Sequence, residues 1–169
     1  MILQKAQRMA ETIVVELAPF CERITVAGSI RRQRPMVNDI DIVALPRIGQ
    51  EQAFRDRCMQ RASVVTNAPQ TLVVILENKV QLDIWIASPK GSDLFEPRPC
   101  NYGSLLLVRT GSKAHNIHLI NHAKSLGMTW NTYWGVFDYT GRNCVAADTE
   151  EEIFKALKLE FVPPEKRER

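Results

Sequence analysis

The sequence predicts an α+β fold, and three observations carry the prediction. The chain opens with a helical apolar period and continues through short apolar runs separated by Gly and Pro, the pattern of helices packed on a sheet. Several of those runs alternate with period two, as half-buried strands do. After Ala87 the composition changes, and helical patterns with short aromatic segments take over. We therefore expect a helix-flanked sheet over residues 1–87 and a small helical/β lobe over residues 88–169.

The elements follow in order. Apolar residues Ile2, Ala6, Met9, Ile13 and Leu17 share one helical face, and Pro19 ends that helix. Ile24 to Ala27 reads as a strand and Asn38 to Leu45 as another, with Pro46 and Gly49 breaking the chain. Gln50 to Gln60 reads as a helix with Phe54 inward and Arg55, Arg57 and Arg61 on a solvated face. Ser63 to Val65, Thr71 to Leu76 and Val80 to Ala87 read as strands, with a turn at Asn78-Lys79. Ser88 to Cys100, with three prolines and Gly91, reads as a linker or long loop. Asn101 to Val108 is a short helix, Thr110-Gly111-Ser112 a turn, and Lys113 to Leu126 a helix closed by Gly127. Thr129 to Phe137, holding Trp130, Tyr133 and Trp134, reads as short strands around a small core. Thr149-Glu150-Glu151-Glu152 is a capping box opening a helix to Leu159; Pro163-Pro164 then ends the fold, and Glu165 to Arg169 is a charged tail.

A chain of 169 residues with 45% hydrophobic and 24% charged residues suits one globular domain or a core domain with an appended lobe. A net charge of +3 hints weakly at a polyanionic partner. Cys21, Cys58, Cys100 and Cys144 form no CxxC pair, which argues against a zinc or redox site and for buried free thiols in an intracellular protein, with one disulfide of unassigned pairing as the alternative. His118 and His122 stand i,i+4 on one helix with His115 nearby, but no further ligand motif accompanies them, so no zinc site is read there. There is no apolar run of about 18 residues to span a membrane. Lys5, Arg8, Glu11 and Glu16 make the first eighteen residues unlike a signal peptide. The expected location is intracellular, cytoplasmic or nucleoid-associated, and not secreted.

The chemistry concentrates in Gly28 to Val43, GSIRRQRPMVNDIDIV. On a strand, Asp39 and Asp41 share one face while Ile40 and Ile42 take the other. Two carboxylates so placed repel each other unless a cation lies between them, which points to a hard divalent ion such as Mg²⁺. Gly28-Ser29 can present backbone N–H groups to a phosphate, and Arg31 and Arg32 add forked donors. Asp83 stands alone as a charge within the strong strand Val80 to Ile86. Together these residues point to nucleotidyl transfer.

The ordered set of Gly28, Ser29, Arg31, Arg32, Asp39 and Asp41, then Asp83, then Thr110, Gly111, Ser112 and Asn116, and the ending TEEEIF…FVPPEKRE, resembles the family X DNA polymerases of the nucleotidyltransferase superfamily. The resemblance runs from Gly28 to the C-terminus. It implies a mixed nucleotidyltransferase sheet, the palm, over residues 1–87. A C-terminal lobe over residues 88–169 would select nucleotides and contact DNA. It implies Asp39, Asp41 and Asp83 as catalytic metal ligands for two Mg²⁺ ions, with Mn²⁺ able to substitute. Asp83 would assist primer deprotonation. Gly28, Ser29 and Arg32 would bind the triphosphate, with Arg31 less direct. Val108, Arg109, Gly111 and Asn116 would line the sugar and base. Lys113, Ile120, Lys124, Arg142 and the basic tail would face DNA. The implied activity is that of a DNA-directed DNA polymerase of the repair type. It would extend a primer 3′-OH with deoxynucleoside triphosphates in primed or gapped DNA, as a monomer and away from membranes.

Three departures from the family pattern shape the expectation. Val108-Arg109 replaces an aromatic pair under the incoming sugar, which puts sugar discrimination in question. Ile120 replaces an arginine against the template, which favours low fidelity. The chain has no helix-hairpin-helix glycine pattern and no room for the lyase and DNA-binding parts of larger members, so a distributive enzyme is expected. The other readings are a nucleotidyltransferase working without a template or on RNA or protein, and a non-catalytic nucleic-acid-binding module.

Overall fold

The structure, a computed structural model, describes residues 1–60, 62–91 and 99–168. It divides into two compact units, Met1–Ala87 and Ser88–Arg169.

In the first unit, helix α1 (Leu3–Leu17) buries Ala6, Ala10 and Leu17 on the face its period defines. Strand β1 (Cys21–Val26) runs into a one-turn helix α2 (Gly28–Arg31), where the sequence suggested only a turn. Strand β2 (Ile40–Pro46), helix α3 (Glu51–Met59) and strands β3 (Ala62–Ala68), β4 (Thr71–Leu76) and β5 (Gln81–Ile86) complete it. The five strands form one sheet in the order β1-β2-β5-β4-β3. β2 and β5 are parallel and the other pairs antiparallel, so the sheet is mixed as expected. Parallel neighbours need a crossover; here the segment between β2 and β5 holds α3 and the β3–β4 hairpin. The core is one cluster that includes Ile40, Ile42, Phe54, Leu72, Leu82 and Ile84. β3 runs three residues beyond its expected end because its partner β4 continues the ladder through Ala68 and Thr71. The α3 arginines are not merely solvated. Arg55 donates to Asn67 Oδ1 and to the carbonyls of Ala68 and Pro69, clamping the β3–β4 turn, and Arg57 pairs with Glu16 at 3.1 Å. Arg61, expected on the same solvated face, lies outside the described residues.

In the second unit, α4 (Tyr102–Thr110) and α5 (Lys113–Ser125) precede a three-stranded antiparallel sheet. Its strands are β6 (Thr129–Asn131), β7 (Gly135–Phe137) and β8 (Cys144–Ala146). Helix α6 (Glu150–Ala156) follows, with Thr149 Oγ1 accepting from Glu152 N as the capping box predicts. Leu107, Leu119, Trp130, Val136 and Phe154 belong to a second core. β8 has no clear sequence signal, since three residues are too few to show a period. Of the expected linker Ser88 to Cys100, residues 92–98 lie outside the described residues.

One expectation is overturned here. Of the expected charged tail, Pro164–Lys166 form a 3₁₀ turn and Arg167 is fully buried against Glu150, while Arg169 lies outside the described residues. Among the described residues no cysteine is joined in a disulfide, and Cys21, Cys58 and Cys100 are buried. Burial pushes the Cys58 thiol up to about 12 and the Cys21 thiol up to about 11, so both remain neutral at ordinary pH. Among the described residues no helix is long and apolar enough to cross a membrane.

Candidate active site

β1 ends at a close backbone contact. Ala27, fully buried, donates its N–H to the Asp41 carbonyl at 2.8 Å, extending the pairing of β1 with β2. The next residue, Gly28, has φ +59°, and a Cβ there would stand 2.0 Å from Asp41 Oδ2. No side chain fits at that point, so glycine is required by both space and dihedral. Ser29 follows in α2; its Oγ is buried with no hydrogen-bond partner. Buried hydroxyls almost always have a partner, and an exception calls for an explanation. Ile30 turns into the core and anchors the short helix. Arg31 and Arg32 close it half-buried, whereas Arg34 is exposed. The loop beyond is tied down by Leu3, whose N–H donates to the Pro35 carbonyl at 3.1 Å.

β2 starts at Ile40, so Asp39 lies in the bend just before the ladder rather than on the strand. Asp41 is the cross-strand neighbour of Asp83 on parallel β5. Residues in register point to the same face, and both side chains are half-buried while Ile40, Ile42, Leu82 and Ile84 fill the core beneath. Asp83 Oδ1 accepts from Gln81 Nε2 at 2.8 Å. Among the described residues no group of three acidic, histidine or cysteine side chains is drawn together tightly enough to hold a metal ion. Asp39 precedes the strand, and one oxygen of Asp83 is engaged by its neighbour Gln81. The donor chemistry still suits a hard cation. Two carboxylates in register on one face repel each other, and a divalent ion bound to oxygen ligands would relieve that repulsion.

In the second unit α4 stops at Thr110. Gly111 has φ +74°, and the Gly111–Ser112 peptide is cis. Ser112 caps α5 by accepting from His115 N at 3.3 Å. One turn on, Asn116 Nδ2 donates to the Val108 carbonyl at 2.8 Å, which ties α5 back to α4. That bond leaves Asn116 Oδ1 buried and without a partner. Val108 and Ile120 are half-buried and pack against the second core. Arg109 donates from Nη2 to Tyr133 Oη at 2.9 Å, and its guanidinium lies 5.4 Å from the centre of that ring. The sequence reads Tyr133 with Trp130 and Trp134 as a small core, but Trp130 is buried while Tyr133 is exposed and meets Arg109 instead. Lys113, Lys124 and Arg142 are exposed. The histidines do other work: His115 is buried beside Phe154, and the ring of His122 meets the Leu157 carbonyl at 2.9 Å.

A family model described as DNA polymerase beta thumb matches residues 105–168. A curated relative, the human DNA-directed DNA/RNA polymerase mu, is 24% identical over a 200-residue alignment covering 95% of this chain and 39% of that protein. A crystal structure of Leishmania infantum polymerase beta in a ternary P/T complex matches with a TM-score of 0.76 and 17% identity, over 100% of this chain and 77% of that one. Over residues 105–168 the chain is thus similar to the DNA polymerase beta thumb, and its fold is similar to that of the Leishmania polymerase beta. The chain spans about two fifths of the length of the curated relative it matches. The matched segment contains the Thr110–Ser112 turn, Asn116 and the buried Arg167, but not Asp39, Asp41 or Asp83.

Proposed function

We propose that this chain is a family X, DNA-directed DNA polymerase of the repair type. It adds deoxynucleotides to a primer 3′-OH in short gaps. The observation that most directly supports this reading is the register pairing of Asp41 with Asp83, beside a glycine that leaves no room for a side chain. In this reading Met1–Ala87 is the palm and Ser88–Arg169 the lobe that selects nucleotides and contacts DNA. Asp39, Asp41 and Asp83 would hold two Mg²⁺ ions. Bound there, the ions would supply Lewis-acid stabilisation of the charge that develops as the α-phosphorus is attacked and pyrophosphate leaves. The chain's own groups then have distinct tasks. Asp83 accepts the proton of the primer hydroxyl. Ser29 Oγ, lacking any protein partner, donates to a phosphate oxygen, and Arg32 supplies a forked cation to the same triphosphate. Gly111 lets the backbone approach the sugar, and Asn116 addresses the base edge.

Sugar and template checking are weak in this reading. Val108 and Ile120 spend much of their surface on the lobe's own core, and neither offers a polar or aromatic restraint. A second reading, synthesis with ribonucleotides or without a template, draws support from aliphatic Val108 and from the human relative, whose name covers both DNA and RNA synthesis. One assay separates the two. Primer extension on a single-nucleotide gap, and on an unpaired primer, is measured with deoxy- and ribonucleotides in turn. Templated addition of deoxynucleotides supports the first reading. Addition that ignores the template supports the second, and no addition with either Mg²⁺ or Mn²⁺ rejects both.

A further inference from the structure

Arg167 is the largest fully buried side chain of the described residues. A buried guanidinium is costly unless every donor is engaged, and here the engagement is extensive. Nη1 and Nη2 reach the two oxygens of Glu150 at 2.7 and 3.3 Å, and Nε donates to the Val162 carbonyl at 2.8 Å. The guanidinium also stands 5.6 Å from the ring centre of Phe154 and 5.4 Å from that of Phe161, an arrangement suited to cation–π attraction. Such a fork has one geometry, so it fixes the main chain of residue 167 as well as its side chain. That main chain has a partner of its own. The Arg167 carbonyl accepts from Ser112 Oγ at 2.8 Å and from Ser112 N at 3.4 Å. Ser112 is the cap of α5 and the last residue of the Thr110–Ser112 turn.

We propose that Arg167 is a positioning residue. Its buried fork on Glu150 holds its own carbonyl against Ser112, and so sets the Thr110–Ser112 turn and the first turn of α5, which carries Asn116. The proposal rests on the reading that Gly111 and Asn116 face the incoming nucleotide. It goes beyond that reading by assigning their alignment to a residue that touches no substrate. It also reassigns Arg167, within the segment after Pro163-Pro164, from gripping DNA to holding the lobe's own loop.

Arg167→Lys keeps the charge but cannot reproduce the three-point fork, and Arg167→Met removes it. Each variant is compared with wild type well below its own melting temperature. Two readouts are taken: amide hydrogen exchange, and nucleotide KM in gap filling. The proposal expects exchange at Ser112 and His115 to rise at least about 10-fold in Arg167→Lys while amides of Leu119, Trp130 and Ile153 stay protected. It expects nucleotide KM to rise about 10-fold or more, as small misplacements of positioning groups do, with KM for gapped DNA unchanged. A uniform loss of protection through the lobe with an unchanged nucleotide KM would mean that Arg167 only stabilises, and would overturn the proposal. Unchanged exchange at Ser112 and His115 in folded Arg167→Lys would overturn it too. If wild type adds no nucleotide, the polymerase reading fails, and the exchange experiment alone still decides whether Arg167 holds the turn.

Discussion

At the scale of single residues, Gly28 is the most constrained position of the candidate site. A side chain there meets Asp41 Oδ2 at 2.0 Å and must adopt φ +59°. Gly28→Ala is therefore expected to lose on the order of 1–3 kcal/mol of stability, the cost of a strained backbone site. It should also displace the Asp41 carboxylate. Thermal melting and single-nucleotide insertion check this; an unchanged melting point with full activity contradicts it. Arg32→Ala should weaken use of all four nucleotides alike, since phosphate contacts carry no base information. Exposed Arg34 serves as the control, and insertion kinetics with each nucleotide in turn supply the test; a defect confined to one base contradicts the phosphate role. Much of this was legible in the sequence, because Gly-Ser, paired carboxylates and forked cations each have a chemical reason to stand together. The buried state of Ser29 Oγ was not, since a hydroxyl's surroundings depend on how α2 packs. Arg167 was illegible for a related reason: a charged residue after two prolines reads as solvated unless its buried partner, Glu150, can be seen.

At the scale of elements, β2 and β5 were identifiable from alternation, and their faces came out as expected, with Leu82, Ile84 and Ile86 inward. Their parallel pairing had no local signal, because pairing depends on the whole crossover between them. Helix α2 was missed since one turn is too short for a helical period. The same limit hid β8 and the tight β7–β8 connection, where a pH prediction belongs. The Asp138 carboxylate accepts from Thr140 Oγ1 and from Asn143 Nδ2, and these bonds hold its pKa below the usual carboxylate value. A depressed folded pKa contributes stability above the unfolded value of about 3.9 and loses it as pH falls toward the folded one. The connection should thus keep its bonds until the solution is more acid than an ordinary aspartate requires. An NMR titration of the Asp138 carboxyl checks this. A midpoint at or above the unfolded value contradicts it.

At the scale of the whole molecule, each unit has its own core, and in the proposed function each bears part of the chemistry: carboxylates and α2 in Met1–Ala87, the turn and Asn116 in Ser88–Arg169. Of the residues expected to face DNA, Lys113, Lys124 and Arg142 are exposed cations. If each engages one DNA phosphate, log affinity for gapped duplex should fall against log salt with a slope of roughly −3. Titrations across a salt series measure it, and binding indifferent to salt would show that DNA is held by other means. The central claim is that the Asp41–Asp83 pair performs nucleotidyl transfer. Its most direct test is the rate of single-nucleotide insertion by Asp83→Asn, with circular dichroism and melting confirming the fold. The account predicts a folded protein whose insertion rate is lower by about 10³-fold or more, as for loss of a group that acts on transition-state charge. Near-normal insertion by folded Asp83→Asn would contradict it.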